Sequence, residues 1–298
     1  MTIKKNTVSL VKNTDHFKGV FNSLKFLEKD LKSSLSKISS LVIKINFVDT
    51  RVELATTPFE AVKSFVYFIK SFYRGEIIIA EGATWGTKIN AFEKYGFTKL
   101  AKENPRIKLL DLNDDKVINK KLSYPQGDFF LPMSKTILET PFLVSIVRPK
   151  THNRVVMTAS IKNVLVGVVP GYTTRLKIHK GKFIHHVMTS VAQHAYPDFV
   201  IIDGTVGMEG DGPVKKGTKK NANWVISSFD ALAADSLAAY LMGFDIKDVG
   251  YLNLLREAKY GNLYPKDKIN ILGENPKKLI NPFRPHKNFE KQKHWQIR

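Results

Sequence analysis

Residues 148–154 bring together more side chains with chemical capability than any other short segment of the chain. They read Arg-Pro-Lys-Thr-His-Asn-Arg and directly follow an apolar run that predicts a buried strand. A lysine attracts anions, and a histidine exchanges a proton near neutral pH. We therefore predict that Lys150 binds a ligand and that His152 is a catalytic acid or base.

A second signal lies ten residues after His152, where Lys162 and Asn163 interrupt the apolar run 155–169. A lysine in such a run is costly to bury, and a desolvated amine becomes a base or a nucleophile because its pKa falls. We predict Lys162 as a catalytic base or anchor and Asn163 as a ligand contact. The alternative is an amphipathic helix whose single lysine faces water.

Three carboxylates predict a metal site further along the chain. Asp203 ends an apolar run and is followed by a glycine-rich segment that contains Glu209 and Asp211. An acidic side chain at the carboxyl end of a parallel strand is a common site arrangement, and carboxylates are the ligands that Mg²⁺ and similar cations prefer. The alternative is an ordinary turn whose acids cap backbone groups.

Polar side chains also mark two predicted strands nearer the N-terminus. Lys44, Asn46 and Arg51 lie at or just after the first, and Glu81 follows the second. Strand ends are where ligands meet such a sheet, so we predict all four as ligand-binding residues, with simple loop structure as the alternative. A basic stretch is expected to close over an anionic ligand, with His179 as its predicted ligand contact: Arg175, Lys177, His179, Lys180 and Lys182.

The elements that must position these side chains alternate along the chain. Short apolar runs predict strands at 41–47, 76–80, 107–110, 142–147, 199–202, 224–227 and 269–272. Helical spacing predicts helices at 58–69, 183–194 and 231–242, the last with Asp230 as its N-cap. This alternation predicts an α/β fold, with a mainly parallel sheet and helices on both faces. Two α/β sub-structures with a cleft between them are an alternative arrangement.

Composition along the chain predicts three parts. Residues 36–275 form the α/β domain, with a sub-structure boundary near 112–135, where the chain is polar and rich in turn residues. Residues 1–35 are expected to be a peripheral N-terminal segment and residues 276–298 a basic C-terminal tail. The reason is that chain ends are often poorly anchored.

The chain of 298 residues contains no cysteine, which excludes disulfides, thiolate-bound zinc and iron–sulfur clusters held by cysteines. The lack of cysteine does not exclude a divalent metal that is held by oxygen ligands. No apolar run approaches the roughly 18 residues of a membrane span, and the N-terminal residues lack a secretory signal pattern. We therefore expect a cytoplasmic protein.

A net charge of +20 raises the prospect of an anionic partner, and the alternative is a lysine-rich solvated surface that has no such partner. The lysines are scattered along the chain, which favours a small anionic molecule over nucleic acid. The alternative is a nucleic-acid-binding protein that uses the basic loop 215–220 and the C-terminal tail.

Several of these motifs, taken in order, resemble the domain of unknown function 362 family over roughly residues 41–275. The ordered set comprises Asn46, Glu81-Gly82, the Pro-Lys-Thr-His of 149–152, Lys162-Asn163, Asp203-Gly204, the Glu-Gly-x-Gly-Pro of 209–213, and Asp230 through Asp235. Many members of that family carry a ferredoxin-like cluster domain. This chain has no cysteine to hold such a cluster.

A more distant resemblance is to the lactate racemase family. The Asp-Thr-Arg of residues 49–51 is similar to that family's Asp-x-Thr-Arg element, although at a different spacing. His152 and Lys162 are ten residues apart, as are that family's histidine and the lysine that anchors a nickel-pincer cofactor. The family's strand-end histidine falls on Ala or Thr here, at positions 83 and 84. The resemblance implies a racemase-like or isomerase-like enzyme that depends on a metal-containing cofactor.

Overall fold

The computed structural model describes residues 6–84, 90–124, 127–180 and 183–295. The strands are β1 Thr7–Lys12, β2 Ser40–Lys44, β3 Glu76–Glu81, β4 Ile107–Asp111, β5 Val117–Tyr124, β6 Gly127–Ser134, β7 Leu143–Val147, β8 Lys150–His152, β9 Val156–Thr158, β10 Phe199–Gly204, β11 Gly207–Asp211, β12 Lys216–Lys220, β13 Trp224–Ser228 and β14 Asn270–Gly273. The α-helices are α1 His16–Lys25, α2 Glu28–Leu35, α3 Phe59–Ile69, α4 Ala91–Lys94, α5 Phe97–Glu103, α6 Lys135–Glu139, α7 Ser160–Gly167, α8 Tyr172–Lys180, α9 Ile184–Val191, α10 Ala231–Leu241, α11 Gly250–Glu257 and α12 Phe289–Gln292.

Eight strands form the main sheet, in the order β14-β1-β13-β10-β7-β2-β3-β4. All neighbours are parallel except β13, which is antiparallel to both β1 and β10. Each of the seven predicted strands is present in this sheet, within a few residues of its predicted ends. The α/β class with a mainly parallel sheet is therefore confirmed.

Alternate side chains of each strand belong to two apolar cores, one on each face of the sheet. In β2, Leu41 and Ile43 join one core and Val42 joins the other. The first core is covered by α1, α2, α3 and α5, and the second by α7, α9, α10 and α11. Helices therefore lie on both faces, because successive strand residues point in opposite directions.

The N-terminal segment, expected to be peripheral, instead supplies an interior strand. β1 lies between β14 and β13, and its Val8 and Leu10 are fully buried. Ser227 and Ser23 share a hydrogen bond of 2.7 Å that joins α1 to β13. The alternating apolar residues of this short strand provide the burial that anchors the chain end.

Four short strands form a second, smaller sheet, in the order β12-β11-β8-β9. The expected basic tail folds back onto this sheet. The ring of Phe283 lies against Gly207, where an added Cβ would come within 2.6 Å of it. The Arg284 amide donates to Glu209 at 3.0 Å, and Gln292 is 7% exposed. The described part of residues 276–298 is thus an integral part of the fold.

The segment predicted as a boundary, 112–135, forms the β5–β6 hairpin over its described residues. Leu122, Leu131 and Met133 of this hairpin belong to the same apolar core as α7, α9 and α10. The segment therefore does not separate two independent cores. In the part of the chain that the structure describes, no helix has both the length and the apolar character needed to cross a bilayer.

Candidate functional site

A cavity of about 270 Å³ lies beside the carboxyl ends of β2, β3 and β7, under α7 and α8. Seven of the predicted site residues line it: Asn46, Glu81, Lys150, His152, Lys162, Asn163 and His179. The placement follows the general rule for parallel α/β sheets, in which ligands meet the strand carboxyl ends.

Lys44 and Glu81 form a buried ion pair beside this cavity, which Glu81 lines and Lys44, predicted to bind a ligand, does not. Their side chains are 1% and 3% exposed, and Lys44 Nζ also donates to the carbonyl oxygen of Ile45 at 2.8 Å. Burial lowers the pKa of Lys44, against the raising effect of Glu81. Gly167 passes directly over the lysine, since an added Cβ there would lie 2.7 Å from Nζ. Each of the two charges is neutralised by the other, so the contacts of this pair stabilise the fold.

Asn163 joins helix α7 to two strand ends. Its amide nitrogen donates to the carbonyl oxygen of Lys44 at 3.0 Å and to Ser145 Oγ at 3.1 Å. Its amide oxygen lies 3.3 Å from both Lys44 Nζ and Asn46 Nδ2. These contacts use both donors and both acceptor positions of the amide. Asn163 lines the cavity and positions α7 against the sheet.

The N-terminus of α7 is held by Asp235, a residue of α10 that sequence reasoning did not single out as functional. Its carboxylate accepts the backbone amides of Ser160 at 3.0 Å and Ile161 at 3.1 Å, together with the Ser160 hydroxyl. Burial raises the pKa of Asp235 to about 7. Carboxylates favour helix N-termini, so this contact fixes the helix that carries Lys162.

Lys150 lies at the start of β8 with its amine pointing to two oxygen acceptors. Nζ donates to Asn46 Oδ1 at 2.5 Å and to the carbonyl oxygen of Ala55 at 3.0 Å. Burial, followed by the repulsion of Arg148 and Lys162, lowers the pKa of Lys150 to about 7. No acidic residue among those described is hydrogen-bonded to this amine.

Lys162 has a single hydrogen-bond partner among the described residues. Its Nζ lies 3.1 Å from His179 Nε2, and the other ring nitrogen of His179 lies 2.8 Å from the carbonyl oxygen of Arg175. A carbonyl only accepts, so Nδ1 of His179 carries the proton and Nε2 accepts from Lys162. Burial lowers the pKa of Lys162 to about 7 and, with the repulsion of Lys162, that of His179 to about 3. His179 is therefore a neutral acceptor.

His152 is 2% exposed and stacks on His179, with ring centroids 5.7 Å apart. Its Nδ1 accepts the backbone amide of Arg154 at 3.1 Å, so the proton of the neutral ring is on Nε2. Burial and the neighbouring cations, Lys162 first, hold the pKa of His152 well below its usual value. At neutral pH the ring is a neutral N–H donor.

Two arginines complete the cation-rich lining of the cavity, Arg154 and Arg175. Arg175 donates to the carbonyl oxygen of Gly82 and, at 2.6 Å, to Asn113 Oδ1. Arg175 therefore ties α8 to the end of β3. It adds a positive charge, and none of its hydrogen-bond acceptors in the described part of the chain is a carboxylate. Glu81 is the one carboxylate among the described residues of the lining, and Lys44 neutralises it.

The three carboxylates predicted as metal ligands lie outside this cavity, each against a different partner. Asp203 is 2.5 Å from His16 Nδ1, Glu209 accepts the Arg284 amide, and Asp211 accepts the Lys287 amide at 3.1 Å. Glu209 and Asp211 accept backbone amides, whereas Asp203 lies within β10 and contacts a histidine side chain. None of the three lines the cavity that contains His152 and Lys162.

The residues described here contain no group of three His, Cys, Asp or Glu side chains arranged to hold a metal ion. The cavity offers two imidazoles, the amine of Lys162 and a carboxylate already paired with Lys44. These groups do not form the set of imidazole, thiolate or carboxylate ligands with which side chains alone hold a metal ion.

Arg51, predicted to bind ligand, forms a two-point ion pair with Asp49 at 2.8 Å from each donor nitrogen. It does not line the cavity. The basic loop 215–220 contains strand β12, which pairs with β11 at the edge of the small sheet. Lys220 Nζ lies 4.0 Å from Glu209 Oε2, so this carboxylate compensates part of the positive charge of the loop.

A family model described as "Domain of unknown function (DUF362)" matches residues 41–240 of the chain. Among curated proteins, the chain is similar to a thylakoid-associated protein of Synechocystis sp., with 27% identity over 122 residues. The match covers 39% of this chain and 36% of that protein. The chain therefore spans little more than a third of the curated relative.

Two solved structures are similar at low identity. The lactate racemase apoprotein of Thermoanaerobacterium thermosaccharolyticum has 19% identity and a TM-score of 0.42, over 66% of this chain and 50% of that one. A structural-genomics protein of Thermotoga maritima has 13% identity and a TM-score of 0.46, over 81% of this chain and 57% of that one. The chain thus spans only about half of each.

Proposed function

This chain belongs to the domain of unknown function 362 family, as the order of its motifs predicted, and we propose that it binds a small organic anion in the cavity at the strand carboxyl ends and moves a proton on it. The proposed reaction class is isomerase-like. Lys162 is the proposed base, and the neutral ring of His152 is the proposed hydrogen-bond donor to the ligand oxygen on which negative charge develops.

The observation that carries this proposal is the charge balance of the cavity. Lys150, Lys162, Arg154 and Arg175 line it, and the charge of Glu81 is matched by Lys44. Cations held in a partly desolvated space attract an anion and stabilise negative charge that develops on it. An organic acid of a few carbon atoms is the ligand class that suits a space of about 270 Å³.

Proton transfer is supported by the state of two neighbouring groups. The pKa of Lys162 is lowered to about 7, so a substantial fraction of this amine is neutral and basic at physiological pH. His152 is a neutral imidazole with its proton on Nε2. A neutral amine can remove a proton from the ligand, and a neutral imidazole N–H can donate a hydrogen bond to the oxygen that gains negative charge. The cations then stabilise the anion that forms after a proton is removed.

Hydrogen exchange tests this function without requiring the substrate to be known in advance. The protein is incubated in D₂O with a panel of small 2-hydroxy and 2-oxo acids. Deuterium incorporation is followed by NMR at C2 of the hydroxy acids and at C3, next to the carbonyl group, of the oxo acids. We expect exchange with at least one acid and its loss in Lys162→Met. The matched control is Lys177→Met, which removes an exposed lysine of α8 outside the cavity lining.

Binding is measured separately by calorimetry with the same acids. Binding together with exchange supports the whole proposal. Binding without exchange retains the anion site and removes the isomerase-like reaction. Absence of binding by every acid, in a folded protein, contradicts the proposed function.

A further inference from the structure

The two lysines of the cavity differ in the number of acceptors that hold the amine. Lys150 Nζ donates to two oxygens, Asn46 Oδ1 and the carbonyl oxygen of Ala55. Lys162 Nζ has one described hydrogen-bond partner, the neutral Nε2 of His179. Both amines are buried, with Lys150 3% and Lys162 7% exposed.

This difference decides which amine can become an iminium without loss of hydrogen bonds. An amine that condenses with a carbonyl group keeps one N–H in its protonated imine. At Lys162 that single N–H suffices for the bond to His179. At Lys150 one of two oxygen acceptors would be left without a donor, which is costly in a buried site.

We propose that Lys162 Nζ forms a Schiff base with a small carbonyl compound that carries a carboxylate, of the 2-oxo acid class. The inference rests on the proposed anion site, because the cations of that site would hold the carboxylate. Lysine amines with lowered pKa values next to other cations are the kind that form such bonds. The lowered pKa of Lys162 supplies the neutral nucleophile near pH 7.

The bond changes balance with groups already in the cavity. The neutral amine adds to the carbonyl carbon, and a proton moves from nitrogen to the former carbonyl oxygen to give a carbinolamine. The C–O bond then breaks as that oxygen takes a second proton and leaves as water. The ammonium form of Lys150, which lines the same cavity and has a pKa of about 7, is the proposed source of that proton. The neutral amine that remains still has two N–H groups for Asn46 and Ala55. The product is the protonated imine, and no oxidant or reductant is consumed.

Reductive trapping tests the inference on the full chain. Glyoxylate is added in low excess at pH 7.5 with cyanoborohydride, which reduces an imine to a stable secondary amine. Peptide mapping by mass spectrometry then locates the carboxymethyl group. Exposed lysines have a pKa near 10.4, so only a small fraction of each is neutral at this pH. We expect modification of Lys162 to exceed that of exposed lysines by more than about tenfold.

Two variants serve as controls. Lys162→Arg keeps the cation but has no amine that can condense, so the preferred adduct disappears while the remaining lysines react at their slow background rate. Lys177→Arg changes an exposed lysine of the same region and keeps the adduct at Lys162.

Glycolate, a similar anion without a reactive carbonyl, separates this inference from the proposed function. If calorimetry shows that glycolate binds, and glycolate also protects Lys162 from trapping by glyoxylate, both the anion site and the Schiff base are supported. If glycolate binds and Lys162 is modified no faster than exposed lysines, or Lys150 is modified instead, the Schiff base is overturned and the anion site remains. If neither glycolate nor glyoxylate interacts with the folded protein, both are overturned.

Discussion

The side-chain amide of Gln292 donates to the backbone carbonyl oxygen of His152 at 2.9 Å, across 140 residues of sequence. Its amide oxygen accepts the backbone N–H of Val156 at 2.8 Å. Val156 is a β-branched residue with a φ of 68°, a strained conformation that needs support from its surroundings. One glutamine of the C-terminal segment thus holds both β8, which ends at His152, and the neighbouring strand β9.

Replacement of Gln292 by alanine is expected to destabilise the protein by about 1–3 kcal/mol. Two buried backbone groups, at His152 and Val156, would lose their partners. Chemical denaturation followed by circular dichroism measures the change. The control is Lys291→Ala, which alters an exposed neighbour. Equal stability of the two variants would show that the segment does not brace these strands.

Glu81→Gln is expected to cost about 3–5 kcal/mol, because it leaves Lys44 as an unmatched buried cation. The double variant Lys44→Met with Glu81→Leu should recover most of this loss, since it removes both charges. Unfolding free energies of the single and double variants form the test. A double variant no more stable than Glu81→Gln would contradict mutual neutralisation as the role of this pair.

Lys162→Met should leave the unfolding free energy at pH 7 within about 1 kcal/mol of the wild type, or raise it, because a buried cation without a carboxylate partner is removed. The pH dependence of the unfolding free energy gives a more specific prediction. The pKa of Lys162 is lowered from 10.5 to about 7, so between these values the unfolded chain binds a proton that the folded chain lacks. Wild-type stability therefore gains up to about 1.4 kcal/mol per pH unit from this group.

In Lys162→Met that contribution is absent, so its stability advantage should shrink as the pH rises from 7 towards 10. Denaturation series at several pH values compare it with Lys177→Met, whose exposed position predicts parallel curves. Identical pH profiles for all three proteins would mean that Lys162 titrates as an ordinary surface lysine.

Affinity for glycolate should fall as the pH rises above 7. The pKa values of Lys150 and Lys162 are both lowered to about 7, so both lose the charge that attracts the anion above this value. Each lysine that must be protonated contributes up to about a tenfold loss per pH unit. Calorimetry between pH 6 and 9 measures the slope. Lys162→Arg should show a shallower slope, since one titrating charge is made permanent.

For nucleic acid we expect weak binding that depends steeply on salt and does not discriminate between sequences. The test uses the full chain with Lys216, Lys219 and Lys220 replaced by glutamine. Removal of the tail is unsuitable because Gln292 lies within it and contacts His152. Selective nanomolar binding at physiological salt, lost in the triple variant, would favour the nucleic-acid alternative.

Local pattern was sufficient to predict seven of the eight strands in the main sheet. Apolar runs such as 199–202 and 224–227 are long enough to require burial on both faces, and the turns around them mark their ends. The predicted N-cap at Asp230 is also confirmed, since its carboxylate accepts the Ala233 amide at 2.9 Å. Such features depend on residues close together in the chain, so sequence spacing reports them directly.

The small sheet and the chain ends were not predicted, because strands of three residues such as β8 and β9 have too little pattern to recognise. β1 is also short, and its partners β13 and β14 lie more than 200 residues away in sequence. Pairing over such distances is decided by the whole fold.

The sequence by itself determined the kind of site: a histidine and lysines near the carboxyl ends of parallel strands. The tertiary structure decided which members share a cavity. Lys162 and His179 meet there because α7 and α8 pack side by side, whereas Asp203 contacts His16 of α1 and does not line the cavity. Direction in space follows from packing and hydrogen bonding between distant elements, and no spacing within one segment contains that information.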